Sequence, residues 1–125
     1  MKALSGAETL FTHARLTRAR GGRHGVRDAA ALKAALAKPS ETFDGQPLYP
    51  DDFQKAAALL GALAEAKAFN EGNLSTAFAV TLLALRRGGY AFALDAAELN
   101  AFAQRVRTGQ VLLLEMAVWI RKRCE

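Results

Sequence analysis

A single-domain, all-α bundle of about six helices is the fold class that this sequence predicts. Alanine and leucine, which favour helices, are abundant along the 125 residues, whereas β-branched residues are sparse. No long stretch alternates apolar and polar residues with the period of two that is typical of a strand. The composition, 51% hydrophobic and 23% charged, is that of a globular protein. A chain of this length can bury one core without disulfide or metal, so we expect residues 1–125 to form one domain.

Clear end signals bound the first two helices. The first is expected from about Glu8 to Arg20, and Gly21-Gly22 ends it because glycine readily takes the left-handed conformation that closes a helix. Asp28 is the expected N-cap of the second helix, since a carboxylate there can accept an unpaired backbone N–H. Pro39 stops this helix, because proline cannot continue the hydrogen-bond ladder.

An extended loop follows, Pro39–Pro50, which we call the flap loop. It holds all three prolines of the chain, and its turn is expected near Asp44-Gly45. Two interpretations are open for its two aromatic residues, Phe43 and Tyr49. They can tuck the loop onto the bundle, which we favour, or they can contact a bound partner, as exposed loop residues often do.

Four further helices complete the predicted bundle. Asp51 caps the third, whose apolar residues recur at the spacing of a buried helical face. The fourth runs from Asn73 to Arg87 and is apolar on most sides, which indicates the central helix of the bundle. Asp95 caps a fifth helix that extends to about residue 107, and the sixth is expected over Val111 to Arg123.

The break before the fourth helix, Lys67 to Thr76, is the segment most informative about function, and we call it the motif segment. Its glycine-containing turn leads into a helix, so several backbone N–H groups converge where the helix dipole is positive. Such a turn can bind an anion. From the residues alone, we favour the simpler interpretation that Glu71 and Asn73 only cap the helix.

The motif segment resembles the signature of the Fic/Doc family, His-x-Phe-x-(Asp/Glu)-Gly-Asn-(Lys or Gly)-Arg-Thr. Phe69, Glu71, Gly72, Asn73 and Thr76 stand at matching positions. The likeness to the death-on-curing (Doc) subfamily continues through the stretches Gly21–Asp28, Ala35–Pro39, Thr42–Gly45, Leu48–Pro50, Lys55–Ala57, Arg87–Tyr90 and Ala117–Arg121. It therefore covers most of the chain.

The resemblance implies transfer of a phosphate-containing group from ATP to a protein hydroxyl, with Mg²⁺ as cofactor. It implies that Glu71 holds Mg²⁺ and that Gly72, Asn73, Ser75 and Thr76 form the phosphate cradle. For death-on-curing toxins it further implies elongation factor Tu as the target. It also implies an antitoxin partner whose disordered C-terminal segment blocks the groove, and a flap at Phe43 and Tyr49 for a bound peptide.

Three positions depart from the signature. Lys67 stands at the histidine position, Leu74 at the basic position and Ser75 at the arginine position. A lysine is protonated at pH 7 unless its pKa falls by about three units, so Lys67 is a poor substitute for a general base. Loss of such a base lowers a rate by about 10²–10⁴, and loss of cations removes stabilisation of the developing charge.

Three function classes follow. We favour a death-on-curing-like protein that keeps the fold and acts by binding an antitoxin peptide, a nucleotide or a target protein. The alternative is an active transferase in which Lys67 is neutral or binds phosphate and Glu71 still holds Mg²⁺. The third is a nucleic-acid-binding helical protein, suggested by the net charge of +5. Few aromatic residues lie among the basic ones, which counts against base stacking and disfavours nucleic acid.

The chain contains few histidine and cysteine residues. The two histidines, His13 and His24, and the single cysteine, Cys124, do not make a zinc-site pattern. The lone cysteine suggests a reducing, cytoplasmic location. We expect no secretory signal, because no apolar h-region follows a charged start. No apolar stretch reaches the roughly 20 residues that a membrane span requires, so no membrane partner is expected.

Overall fold

The computed structural model describes residues 1–23 and 25–124, and these form the predicted all-α bundle. Six α-helices account for most of this part of the chain, with one 3₁₀ turn and one short hairpin in the flap loop. The elements are α1 (Gly6–Arg20), α2 (Ala29–Ala37), the 3₁₀ turn Lys38–Ser40, β1 (Thr42–Phe43), β2 (Gln46–Pro47), α3 (Asp52–Ala66), α4 (Asn73–Arg87), α5 (Ala96–Arg107) and α6 (Leu113–Arg123).

The helix N-termini mostly begin where the capping residues predicted. Asp28, Asp51 and Asp95 each accept a backbone N–H in the first turn of α2, α3 and α5. The start of α1 at Glu8 was wrong, because Ser5 is the N-cap and forms a reciprocal capping box with Glu8. A serine followed three residues later by glutamate is the sequence signal for such a box, so this start was detectable.

The sixth helix also begins later than predicted, at Leu113 and not at Val111. Glu115 accepts the backbone N–H of Leu112 at 3.2 Å, so a carboxylate within the first turn reaches back to the residue before the helix. Val111 is buried in the core ahead of that turn.

The flap loop forms a two-stranded antiparallel hairpin with its turn at Asp44-Gly45, as predicted. Thr42 pairs with Pro47 and Phe43 with Gln46. Asp44 and Gly45 both have positive φ, 52° and 77°, which is the backbone of the tight turn that joins twisted strands.

The centre of the bundle is α3, and the prediction that α4 is central was wrong. α3 packs against α2, α4, α5 and α6, whereas α4 packs chiefly against α3 and α1. Ala56, Leu59 and Leu60 of α3 are almost fully buried, and added bulk at Gly61 would press on Met116 of α6. Both helices carry wide apolar faces, so residue pattern alone did not distinguish them.

Helices α1 and α4 lie side by side and antiparallel. The C-terminal end of α1 meets the start of α4 where Arg20 donates to Ser75. Its N-terminal end meets the end of α4 where Arg87 donates to the Glu8 carboxylate. This arrangement holds α1 along α4, with the motif segment at one end of the pair. Within residues 1–23 and 25–124, no helix has both the length and the apolarity needed to cross a membrane.

Candidate functional site

The motif segment is a tight loop between α3 and α4 whose backbone is fixed by the segment before α2. The carbonyl of Ala68 accepts the N–H groups of both Arg27 (2.7 Å) and Asp28 (3.0 Å). The N–H of Asn70 donates to the carbonyl of Gly25 at 3.2 Å. Two stretches about 40 residues apart in sequence thus bond backbone to backbone, which gives the loop a defined shape.

Lys67, at the histidine position of the motif, ends α3 in a left-handed conformation with φ 48° and ψ 45°. Its side chain is exposed. Its carbonyl oxygen accepts a hydrogen bond from Nη2 of Arg27 at 2.6 Å. Positive φ is uncommon for a residue with a side chain, and the Arg27 contact helps to keep the backbone there.

Asn73 does not cap α4, contrary to one of the two interpretations of the sequence. It is the first residue of the helix, and the N-cap position belongs to Gly72 with φ 76°. The Asn73 amide instead closes a ring with Phe69: its Oδ1 accepts the Phe69 N–H and its Nδ2 donates to the Phe69 carbonyl, each at 3.0 Å. Asn73 therefore shapes the loop, and α4 starts with no side-chain cap.

His13 of α1 packs against the motif segment, a contact that the sequence did not reveal. It is 2% exposed, and its ring stacks on Phe69 with centroids 3.8 Å apart and planes 10° from parallel. Its Nε2 donates to the carbonyl of Glu71 at 2.7 Å. His13 lies 58 residues before Glu71 in the sequence, so no local pattern links the two. His24 lies outside the described residues.

The Glu71 carboxylate turns towards the segment that follows α1. Its Oε2 accepts the backbone N–H of Arg23 at 2.7 Å, and its Oε1 lies 3.8 Å from Nε of Arg23. A Cβ at Gly22 would come within 2.8 Å of Oε2, so the absence of a side chain at Gly22 leaves room for the carboxylate. The motif's acidic group is therefore already paired.

Ser75, at the arginine position, is contacted by an arginine from another helix. Nη1 of Arg20 donates to Oγ of Ser75 at 2.5 Å. Leu74 is half-buried and packs against the core. Thr76 is fully buried, and its hydroxyl has no hydrogen-bond partner in the part of the chain that the structure describes. One cation thus lies beside the start of α4, although the motif itself supplies none there.

A cavity of about 810 Å³ opens beside the motif segment. Its wall includes Lys67, Asn73 and Leu74 from the motif and Arg107 from the end of α5. This volume lies within the range of small-molecule sites, and the two cationic residues suit an anionic ligand. Sequence reasoning missed Arg107, because only the fold brings the end of α5 next to residues 67–74.

The two flap-loop aromatics have different environments. Phe43 is 77% exposed beside the hairpin turn, whereas Tyr49 is 8% exposed. Tyr49 therefore tucks the loop onto the bundle, as the favoured interpretation had it, and it does not present its ring to a partner. For Phe43 that interpretation was wrong, since its ring faces solvent. Neither residue lines the cavity beside the motif segment.

The described residues do not fit a divalent cation as they stand. Mg²⁺ is usually bound through one or two carboxylates together with substrate phosphates. Glu71 offers one carboxylate, but the backbone N–H and the guanidinium of Arg23 already engage it. Among residues 1–23 and 25–124 there is no group of three histidine, cysteine or acidic side chains that could hold a metal.

Comparison with known proteins agrees with the resemblance in the motif segment. The sequence model of the Fic/DOC family matches residues 3–85. A curated relative, Toxin Doc from Mycolicibacterium smegmatis, is 43% identical over 75 residues. That alignment covers 60% of this chain and 58% of the relative, so the likeness spans somewhat more than half the length of either protein.

Proposed function

Because the chain belongs to the Fic/DOC family, we propose that it is a Doc-like toxin-module protein that acts by binding at the motif segment and not by transferring phosphate. The main observation behind the proposal is that the Glu71 carboxylate already has a partner. The acidic side chain that would hold Mg²⁺ is bound to Arg23 and does not line the cavity, whose one carboxylate within the described residues is Glu65 of α3.

A second argument concerns the general base. Phosphoryl transfer to a hydroxyl needs a group that positions the nucleophile or accepts its proton. Lys67 stands where that group belongs, with its side chain in solvent. His13 cannot take its place, because it is buried and its Nε2 is used by the Glu71 carbonyl. Within the described residues, no histidine lines the cavity.

Binding of a phosphate-bearing ligand such as ATP fits the same site. α4 begins without a side-chain cap, so its first-turn N–H groups and its dipole favour an anion. Arg20 adds a cation at Ser75, and Lys67 and Arg107 line the separate cavity beside the motif segment. We infer that Gly72, Asn73, Ser75 and Thr76 form or support the phosphate-facing side of this site.

One observation favours the alternative of an active transferase. Arg20 places a guanidinium beside Ser75, where the family signature has its own arginine, so one cation is supplied from α1. If Mg²⁺ and nucleotide drew Glu71 away from Arg23, the site would hold a carboxylate and a cation together. Elongation factor Tu would then be the candidate target.

The partner expected for such a module is an antitoxin. The relative from Mycolicibacterium smegmatis is named a toxin, and toxins of this kind imply an inhibitor. We propose an antitoxin whose disordered C-terminal segment folds on this chain, with the exposed Phe43 among the groups that can contact it. A short reading frame next to the gene would support this partner.

The proposed function is tested by incubating the protein with ATP labelled at the γ or α position, Mg²⁺ and bacterial cell extract. We expect ATP binding by calorimetry without label on any protein. Arg20→Ala and Lys67→Ala should each weaken ATP binding several-fold, whereas the α6 control Arg121→Ala should not. Label on a protein would overturn the binding-only function, and absence of ATP binding would overturn the nucleotide site.

A restored variant serves as the positive control for that assay. It combines Lys67→His, Leu74→Lys and Ser75→Arg with Arg20→Ala, because Arg20 now lies against Ser75. Histidine adopts positive φ more readily than most residues, so it should fit the backbone at position 67. We expect this variant to regain label transfer and to arrest bacterial growth. A folded variant that does neither would show that more than these positions has changed.

A further inference from the structure

The buried face of α1 consists of three polar residues, Thr9, His13 and Thr17, spaced about one helical turn apart. The hydroxyls of Thr9 and Thr17 each donate to a carbonyl four residues earlier in the chain, at 2.9 Å. His13 differs from them, because its Nε2 donates to a group outside α1, the carbonyl of Glu71, at 2.7 Å. The polar contact of His13 therefore joins α1 to the motif segment.

The same face of α1 lies against Gly72, the N-cap of α4. A Cβ added at Gly72 would come within 3.2 Å of Cγ2 of Thr17 and 3.7 Å of Nε2 of His13. The backbone of Gly72 is left-handed, with φ 76°, which a residue with a side chain rarely adopts. The His13 ring also stacks on Phe69. It therefore packs beside the motif turn both before and after Glu71.

The hydrogen bond from His13 fixes the orientation of the peptide unit between Glu71 and Gly72. None of the described peptide bonds is cis, and in a planar trans peptide unit the N–H points opposite to the carbonyl. The carbonyl points at the buried His13, so the N–H of Gly72 points away from the bundle. Within residues 1–23 and 25–124 this N–H has no acceptor. It is therefore available to an anion at the start of α4.

We propose that His13 is a positioning residue for the anion site: by holding the Glu71 carbonyl inward, it keeps the Gly72 N–H directed at a phosphate-bearing ligand. This inference rests on the proposed function, since it assigns His13 a part in ATP binding at the motif segment. His13 acts through the backbone and does not touch the ligand. Because a carbonyl oxygen only accepts hydrogen bonds, the ring carries a proton on Nε2.

A purely structural role for His13 makes a different prediction. If the ring served only to fill space and to stack on Phe69, phenylalanine would replace it with little loss, whereas glutamine would not. If the hydrogen bond to the Glu71 carbonyl is what matters, the order reverses, because the amide nitrogen of glutamine can take the place of Nε2 and donate. The two substitutions therefore separate stacking from orientation of the peptide unit.

The test compares ATP binding by the wild type, His13→Phe and His13→Gln, measured by calorimetry on the full chain. We expect His13→Phe to bind about tenfold more weakly, the factor for one lost hydrogen bond to a charged group, and His13→Gln to stay within about threefold of the wild type. Thr9→Val is the matched control. It removes a buried hydroxyl from the same face of α1, where the hydroxyl donates to the Ser5 carbonyl, and it should leave the ATP affinity unchanged.

The amide signal of Gly72 in nuclear magnetic resonance spectra gives a readout that a merely structural role would not change. At saturating ATP the amide proton of Gly72 should shift downfield in the wild type, because a hydrogen bond to a phosphate oxygen deshields it. The shift should be smaller in His13→Phe and retained in His13→Gln. Circular dichroism checks that each variant is folded.

Three results would overturn the inference while leaving the nucleotide site in place. They are equal ATP affinity of His13→Phe and the wild type, weaker binding by His13→Gln than by His13→Phe, and a wild-type Gly72 amide that does not respond to bound ATP. If His13→Phe does not fold, His13→Gln and the wild-type Gly72 signal decide the question. Absence of ATP binding by the wild type would instead overturn the proposed function and this inference together.

Discussion

At the scale of single residues, the side chains that build the motif segment were only partly predictable. Phe69, Glu71 and Asn73 are recognisable from their resemblance to the family signature. Their actual contacts depend on His13 and Arg23, which lie 58 and 48 residues away from the groups they bind. Local pattern reports which residues share a helix face or a turn, but it carries no information on which distant segment packs against that turn.

The contact between the Glu71 carboxylate and the Arg23 backbone N–H can be tested directly. In Gly22→Ala the new methyl group would come within 2.8 Å of Glu71 Oε2, and the flexible carboxylate would have to leave the Arg23 N–H. We expect a loss of about 1 kcal/mol in the free energy of unfolding, the usual net value of one hydrogen bond. Urea denaturation measures this loss.

Two further variants make the interpretation specific. Glu71→Ala removes the same contact, so the double variant should lose about as much as either single variant. Gly6→Ala is the matched control, because nothing lies within 4 Å of an added Cβ there and alanine favours a helix more than glycine does. If the two substitutions lower the free energy of unfolding additively, the Glu71 carboxylate does not make this contact with the Arg23 N–H.

At the scale of secondary-structure elements, the sequence predicted all six helices but not their arrangement. Asp28, Asp51 and Asp95 located helix starts because capping is a local interaction. The central position of α3 was not predictable, since an apolar face shows that a helix is buried but not how many neighbours it has. The pairing of α1 with α4 likewise depends on contacts between their two ends.

The contact between Glu8 and Arg87 predicts how this pairing responds to pH. Hydrogen bonds from Arg87 and from the backbone N–H of Ser5 lower the pKa of Glu8 from 4.5 to about 2. A carboxylate with a lowered pKa in the folded state stabilises that state above its ordinary pKa, and this contribution disappears as the pH falls towards the folded value. It should therefore be complete above about pH 5 and decline between about pH 4.5 and 2.

Comparing the wild type with Glu8→Gln by urea denaturation at several pH values measures this contribution. The wild type should be the more stable protein at neutral pH, and the difference should shrink steadily below about pH 4.5. In an Arg87→Met background the pH dependence of the Glu8→Gln effect should become smaller, since the larger cause of the lowered pKa is absent. A difference that stays constant down to pH 3 would contradict the ion pair.

At the scale of the whole molecule, one core connects the motif segment to the far side of the bundle. Helix α3 ends at Lys67 and also packs against α5 and α6. On that side Phe102 of α5 stacks on Trp119 of α6 with centroids 4.1 Å apart, and the guanidinium of Arg123 lies 4.1 Å above the Trp119 ring. Any loosening of α5 or α6 therefore exposes apolar surface of α3, the helix that leads into the motif loop.

This connection predicts that the protein unfolds as one cooperative unit, as most single domains under about 150 residues do. The chain contains a single tryptophan, so the fluorescence of Trp119 reports the α5–α6 stack alone, whereas far-ultraviolet circular dichroism reports all six helices. The two signals should give coincident urea transitions. Gly22→Ala, which lies beside Glu71 of the motif segment, should move both to lower urea together. Two results would contradict this prediction: a fluorescence transition at lower urea than the loss of helix, or a fluorescence transition that Gly22→Ala does not shift. Either would show that α5 and α6 unfold separately from the helices around the motif segment.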